Sequence, residues 1–407
     1  MTLKSSFKRN IRTYYFYTIF SNLLILGPIL IIYLKAKGLT FTQIMLINSI
    51  SAISVVLFEV PTGAIADRIG RKLSVIIGAS LWGIGLMLYV FARGFYLFAL
   101  AEIIFALGST FKSGSDIALI YDSLKKLKRE DEFQRIEGRA KSYSFYAQAI
   151  GSIAAGFLYK LNMELPMIIS AVFMALTAIV SFTFIEPPIE DKHDTKAETY
   201  IKQITESGKY ILSNEKVKAV ILYSMVFYIF YRAAFFFYQP YFQEVNIPVD
   251  YFGVIFFIFN IVAGVTSKNS YKIMNRTKRK TLMFLSSLLI VSFLLLGITK
   301  IWIGVFAILL QQMARGMYLP VTRKYLNKNI PSNKRATILS FFSLLTNLSA
   351  ALAYPLFGIL SDSTNIFTTH IVIAAVMAGL TYLTSIYMNK RIGMKKSKPN
   401  VCTYKNV

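Results

Sequence analysis

Twelve apolar stretches of roughly 18 to 25 residues recur from one end of the chain to the other, and they leave few folds open. A helix rises about 1.5 Å per residue, so each stretch crosses a hydrocarbon core about 30 Å thick. Spanning strands would alternate apolar and polar positions, and these runs do not. They fall near residues 13–34, 43–65, 73–92, 95–123, 141–160, 165–185, 217–242, 251–271, 281–299, 302–324, 336–360 and 367–388. The predicted class is an all-α membrane protein with twelve transmembrane helices. Composition agrees, because a soluble chain would carry more than 16% charged residues and less than 55% hydrophobic ones.

A formal net charge of +25 invites comparison with nucleic-acid binders, but its distribution excludes that class. With the N-terminus in the cytoplasm, only Lys35, Lys37, Arg93, Lys160 and Lys300 fall outside, and Lys112, Arg232 and Arg315 lie inside spans. Every other Lys and Arg is on the inner side. The positive-inside rule therefore puts both termini in the cytoplasm of a multi-pass cell-membrane protein, with inner-leaflet lipid as an electrostatic partner. The basic N-terminal residues lead straight into an apolar run with no small-residue cleavage site, which reads as the first span. Cys402 is the one cysteine, and His193 and His370 are read as lying outside the spans, so no metal or cofactor is expected. No phosphate-binding loop is present either, which leaves an ion gradient or the substrate's own gradient as the energy source.

The longest polar interruption runs from Glu186 to about Lys216 and divides the spans six and six. The expected organisation is a six-helix bundle over 1–185, a cytoplasmic linker over 186–216, a second six-helix bundle over 217–388 and a cytoplasmic tail over 389–407. Fused halves of this kind hold a substrate between them near the bilayer midplane. In the linker, Ile201, Ile204, Gly208, Ile211 and Leu212 share one helical face, which reads as an amphipathic helix on the membrane surface or a solvated one.

The tight turn Gly63-Ala-Ile-Ala-Asp67-Arg68-Ile-Gly70-Arg71-Lys72 joins the second and third spans. This G-x-x-x-D-R-x-G-R-K pattern resembles the loop that marks the major facilitator superfamily of transporters. The resemblance implies two pseudo-symmetric six-helix bundles, with the loop latching them when the cytoplasmic side is closed. Gly63, Asp67, Arg68, Gly70, Arg71 and Lys72 take that gating role, with Asp122 as the carboxylate to pair with Arg71. Glu59, Gly63 and Asp67 stack at i, i+4 and i+8, and Gly63 is expected to admit a neighbouring helix. The counterpart in the second half, Gly264 to Lys280, keeps the terminal cations and lacks the Asp.

Charges inside spans are costly and mark functional sites. Glu59, beside Pro61, and Glu102 and Asp116 in the fourth span are the proton-coupling candidates, because a carboxyl in hydrocarbon favours its neutral form unless paired. Lys112 is four residues from Asp116 and can neutralise it. The resemblance puts spans one, four, seven and ten around the cavity, with Arg232 on the seventh and Arg315 on the tenth. Lys112, Tyr228, Tyr231, Arg232 and Arg315 are therefore cavity candidates. The clear intraspan carboxylates belong to the first half and the arginines to the second, which suits an amphipathic substrate with an anionic or zwitterionic group. In the fifth span, Gly151 and Gly156 keep the spacing of an exporter motif, G-P-x-x-G-G, in which Ser152 and Ala155 replace Pro and Gly. The arginine that many family members carry in the fourth span is missing from the stretch Glu102 to Gly108.

These readings converge on a monomeric, proton-coupled antiporter that exports a small amphipathic compound by alternating access, most like the drug:proton antiporter branch. The competing readings are an importer or facilitator of a metabolite and, less favoured, a membrane-embedded enzyme. The enzyme lacks an evident nucleophile–base pair.

Overall fold

A computed structural model describes residues 3–23, 25–187, 197–330 and 335–392, almost all of them helical. The first crossing is built from α1 (Leu3–Asn22) and α2 (Leu30–Ala36), followed by α3 (Phe41–Ile69) and α4 (Arg71–Phe91). The fourth joins α5 (Phe95–Lys112) to α6 (Ser115–Leu127), and α7 (Phe133–Leu161) and α8 (Leu165–Phe182) complete the first half. After α9 (Ala197–Ser213) come α10 (Glu215–Glu244), the pair α11 (Phe252–Lys268) and α12 (Ser270–Thr277), and α13 (Thr281–Ile298). The last three are α14 (Val305–Asn329), α15 (Arg335–Ser363) and α16 (Ile366–Ile392). This gives twelve crossings in two bundles of six.

Nine of these segments, among the described residues, are long and apolar enough to cross a bilayer on length and composition. The other crossings fall short for visible reasons. The first is broken between α1 and α2, α7 carries Arg135, Glu137, Arg139 and Lys141, and α14 carries Gln311, Gln312 and Arg315.

The bundles repeat one pattern of neighbours. In the first, α4 packs on α5 and α8, α3 on α5, and α1 on α7 and α8. In the second, α13 packs on α14 and α16, α11 on α14, and α10 on α15 and α16. Between the halves, α3 lies along α15 and α7 along α11.

Local chemistry sets the helix ends. Thr40 caps α3 reciprocally with Gln43: the Gln43 N–H donates to Thr40 Oγ1 at 3.2 Å and the Thr40 N–H donates to Gln43 Oε1 at 3.0 Å. Gly70 ends α3 at φ +96°, a conformation that glycine adopts without strain.

Several expectations need correction. The first span is not one helix: Pro28 lies in the break, and the Ile25 N–H donates instead to Ser170 Oγ at 3.0 Å. The fourth span is interrupted at Ser113-Gly114, where Gly114 takes φ +75°, and the eighth at Asn269. Leu212 does not share a face with Ile211: Ile211 is buried, whereas Leu212 is 66% exposed. The side chains of Ile201 and Ile204, and His193 and Cys402, lie outside the described residues. His370 is inside α16, buried among Phe237, Tyr241 and Phe293, and its Nδ1 lies 2.6 Å from the Ile366 carbonyl oxygen. It therefore works as a packed aromatic.

Candidate functional site: the cleft between the halves

The two halves touch at one end and part toward the other. We call the touching end distal and the end with the α3–α4 turn basic. At the distal end, the N–H groups of Phe41 and Thr42 donate to Asp362 of the second half at 3.0 and 2.7 Å. Gln239 accepts from the Ile31 N–H at 2.8 Å and donates to the Gly27 carbonyl at 2.8 Å. Lys160 pairs with Asp250 at 2.8 Å. The backbones also approach closely. A Cβ on Gly156 would sit 2.3 Å from the Val249 carbonyl oxygen, one on Gly253 2.1 Å from that of Ser152, and one on Gly358 2.6 Å from the Thr42 Cα. Gly151 is buried in the same stretch of α7.

Toward the basic end both inter-half seams open into cavities. The first, about 430 Å³, lies between α3, α10 and α15 and is lined by Asn48, Ser51, Glu59, Arg232, Phe236, Ser343, Asn347 and Tyr354, among others. Glu59 and Arg232 are both exposed on its walls although they lie well inside their helices. A carboxylate from one half and a guanidinium from the other thus line one open cavity. Tyr354 stands beside Arg232, and Tyr228 donates to Asn347 Oδ1 at 2.7 Å, which ties α10 to α15 beside it. Tyr231 stands next to Tyr228 and Tyr318, with ring centroids at 6.0 and 5.9 Å.

Glu102 is one layer behind this wall. Its carboxylate accepts from the Tyr89 hydroxyl, and Ser51, which lines the cavity, lies beside it. Lys112 and Asp116 are elsewhere. The Lys112 ammonium lies over the rings of Trp82 and Tyr17 at 4.9 and 5.2 Å, and Asp116 accepts from the Tyr17 hydroxyl at 3.3 Å. Packed inside the first half, Lys112 is not among the residues lining the cavity.

The second cavity, about 720 Å³, lies between α7, α11 and α14 and holds Arg315. A Cβ on Gly316 would lie 2.1 Å from the Ala263 carbonyl oxygen, so α14 and α11 run nearly in contact. That approach lets Arg315 Nη1 donate to Asn260 Oδ1 at 3.2 Å, with Gln312 Oε1 at 3.1 Å.

At the basic end, Arg71 pairs with Asp67 at 3.0 Å. The organising residue is Glu186, which sequence reasoning missed. Its carboxylate accepts the Arg71 and Lys72 N–H groups at 2.7 and 2.6 Å, capping the N-terminus of α4. A Cβ on Gly70 would meet Glu186 Oε1 at 3.0 Å, a second reason for glycine there. The available signal was an acid at the end of the sixth span, just before Pro187. Asp122 is half-buried and partnered, and Arg68 is exposed. Gly63 departs from expectation: among the described residues, nothing lies within 4 Å of a Cβ placed there.

Two helical bundles with a charged cleft between them have the architecture of a polytopic membrane transporter. Family comparison is more specific. The Major Facilitator Superfamily model matches residues 14–276 and 220–400, and the chain belongs to that superfamily. It is 27% identical over 361 residues to the uncharacterized MFS-type transporter YxaM of Bacillus subtilis, covering 87% of this chain and 89% of that one. It is 23% identical over 172 residues to the quinolone resistance protein NorA of Staphylococcus aureus, covering 42% and 43% of the two chains. Among solved structures, the nucleoside transporter NupG superposes with a TM-score of 0.78 at 15% identity, over 95% of this chain and 99% of that one. This last likeness is one of fold.

Proposed function

We propose that the protein is a proton-coupled antiporter that exports a small amphipathic compound across the cell membrane by alternating access. The observation that carries this reading is the single space shared by Glu59 and Arg232, one from each half. A carboxylate with water access can take up and release a proton. A guanidinium across the same space supplies the charge whose balance changes when it does. Protonated Glu59 leaves Arg232 free for an anionic or zwitterionic substrate, and ionised Glu59 competes with that substrate, so proton and cargo load alternately.

The positive-inside rule supports assigning the basic end to the cytoplasm, with residues 1–185 and 217–388 as the rocking halves and 186–216 as the cytoplasmic linker. The structure is then cytoplasm-open. Asp67, Arg68, Gly70, Arg71 and Lys72, with Asp122 nearby, form the latch of the opposite state. Glu102 backs the coupling site through Ser51. Similarity to NorA over part of the chain supports export and the drug:proton branch.

The test has two stages. A growth screen of an expressing strain against many toxic compounds finds a substrate. Uptake of that compound into inside-out vesicles is then measured with the lumen acidified. Acid-driven uptake that Glu59→Gln abolishes is expected. Uptake indifferent to pH removes the antiport reading, and accumulation by intact cells makes the protein an importer.

A further inference from the structure

The second cavity differs from the first in charge. Arg315 and Arg323 both line it, and among the described residues no acidic side chain does. Arg315 is held by the neutral oxygens of Asn260 and Gln312. Among the described residues, neither arginine takes part in an ion pair. Both are exposed, and they lie eight positions apart, about 12 Å along α14. Apart from Ser267, the remaining wall is apolar and aromatic, with Phe145 and Tyr146 from α7, Phe257 and Ile261 from α11, and Leu319 from α14.

An uncompensated cation deep within a membrane helix is costly and is retained where something supplies the missing charge. A lipid-facing arginine would reach for the nearest interface, which accounts for Arg323 near the basic end. Arg315 lies too far along α14 for that, and its guanidinium is instead fixed by two side chains toward a cavity of ligand size. Guanidinium groups bind carboxylate and phosphate with matched geometry.

We propose that this cavity is a binding site for an anionic amphiphile, a carboxylate or phosphate joined to an apolar body. The head group lies on Arg315, the body runs along Phe257, Ile261 and Leu319, and Arg323 at the mouth draws the anion inward. A cation is repelled, in contrast to the mixed-charge cavity of Glu59 and Arg232. Binding is read without any gradient, so this assignment stands or falls separately from proton-coupled export. The same chemistry is offered by a membrane phospholipid and by a soluble single-chain amphiphile.

The experiment measures equilibrium binding of tritiated dodecyl phosphate to the full chain in phosphatidylcholine nanodiscs, with empty discs subtracted. Saturable binding is expected, displaced by dodecanoate and not by dodecanol or dodecyltrimethylammonium. Arg315→Gln should weaken it about tenfold or more, and Arg323→Gln by less. Should Arg315→Gln fail to insert, Arg315→Lys and Arg323→Gln carry the same comparison. Adding phosphatidylglycerol to the disc separates the sources: displacement assigns the site to a membrane lipid, and retention to a soluble amphiphile, and either supports the site. Equal displacement by dodecanol and dodecanoate, or wild-type affinity in all the arginine variants, overturns it.

Discussion

Glu186 holds the basic-end turn from outside the loop motif. It binds two backbone N–H groups of α4 from the end of the sixth span, and Gly70 leaves it room to do so. Gly70→Ala would force a side chain into a positive φ and against that carboxylate, destabilising the fold by about 1–2 kcal/mol. Thermal unfolding of the purified variant should show the loss, and Glu186→Gln should reproduce a smaller part of it. An unchanged midpoint in both would mean the cap contributes nothing. Glu59 belongs to a different test. Glu59→Gln should abolish pH-driven transport while sparing substrate counterflow, because counterflow needs cargo binding without a net proton cycle. Loss of both would make Glu59 a structural or cargo-binding residue only.

At the scale of helices, two glycines report on opposite ends of the same cycle. Gly156 is pressed against the backbone at Val249 and Asp250, whereas Gly63 faces open space. Gly156→Leu should therefore force the distal seam apart, raising thiol labelling of a cysteine placed at Thr42 in a Cys402→Ser background. Gly63→Leu should be silent in this state, with normal folding and unfolding temperature, and should abolish transport by blocking closure at the basic end. Normal transport by Gly63→Leu would contradict a close approach there. Asp362 is a third handle, since it caps the N-terminus of α3 across the halves. Asp362→Ala should cost about 1 kcal/mol of distal closure, roughly a fivefold shift in that equilibrium, read by the same labelling assay.

Helix number was legible because hydropathy is a local property, written in each run of residues. The interruptions at Pro28 and Gly114 were less legible, since one proline or glycine within an apolar run can be either tolerated or a break. Inter-half partners such as Gln239 with Gly27, or Asp362 with Phe41, join residues hundreds of positions apart and have no local sequence signature. Lys112 shows the converse limit. Its spacing from Asp116 was visible, but that Trp82 and Tyr17 would cover it depended on how α4 and α1 pack.

At the scale of the whole molecule, the repeated neighbour pattern of the two bundles sets the cleft between near-equivalent bodies. Contacts at the distal seam are polar caps and glycine-mediated backbone approaches, and the basic seam holds charge lining an open cavity. Such an arrangement suits two alternative states in which one seam closes as the other opens. Hydropathy and the loop pattern made this symmetry legible, although the residues of the two halves resemble each other little beyond the cations at Lys278 to Lys280. Transport class was legible from the Gly63 to Lys72 pattern. Substrate chemistry was not, because it depends on which side chains share a cavity: Arg232 and Arg315 look alike in sequence yet line different cavities.

The most direct measurement is double electron–electron resonance on two spin-label pairs in a Cys402→Ser background. One pair, at Leu161 and Tyr251, spans the distal seam, and the other, at Ser142 and Lys268, spans the basic seam; all four positions are exposed. Alternating access coupled to Glu59 predicts two populations at each seam that shift in opposite directions between alkaline and acidic pH, with the shift lost in Glu59→Gln. A single distance at each seam that ignores pH, or seams that widen together, would contradict it.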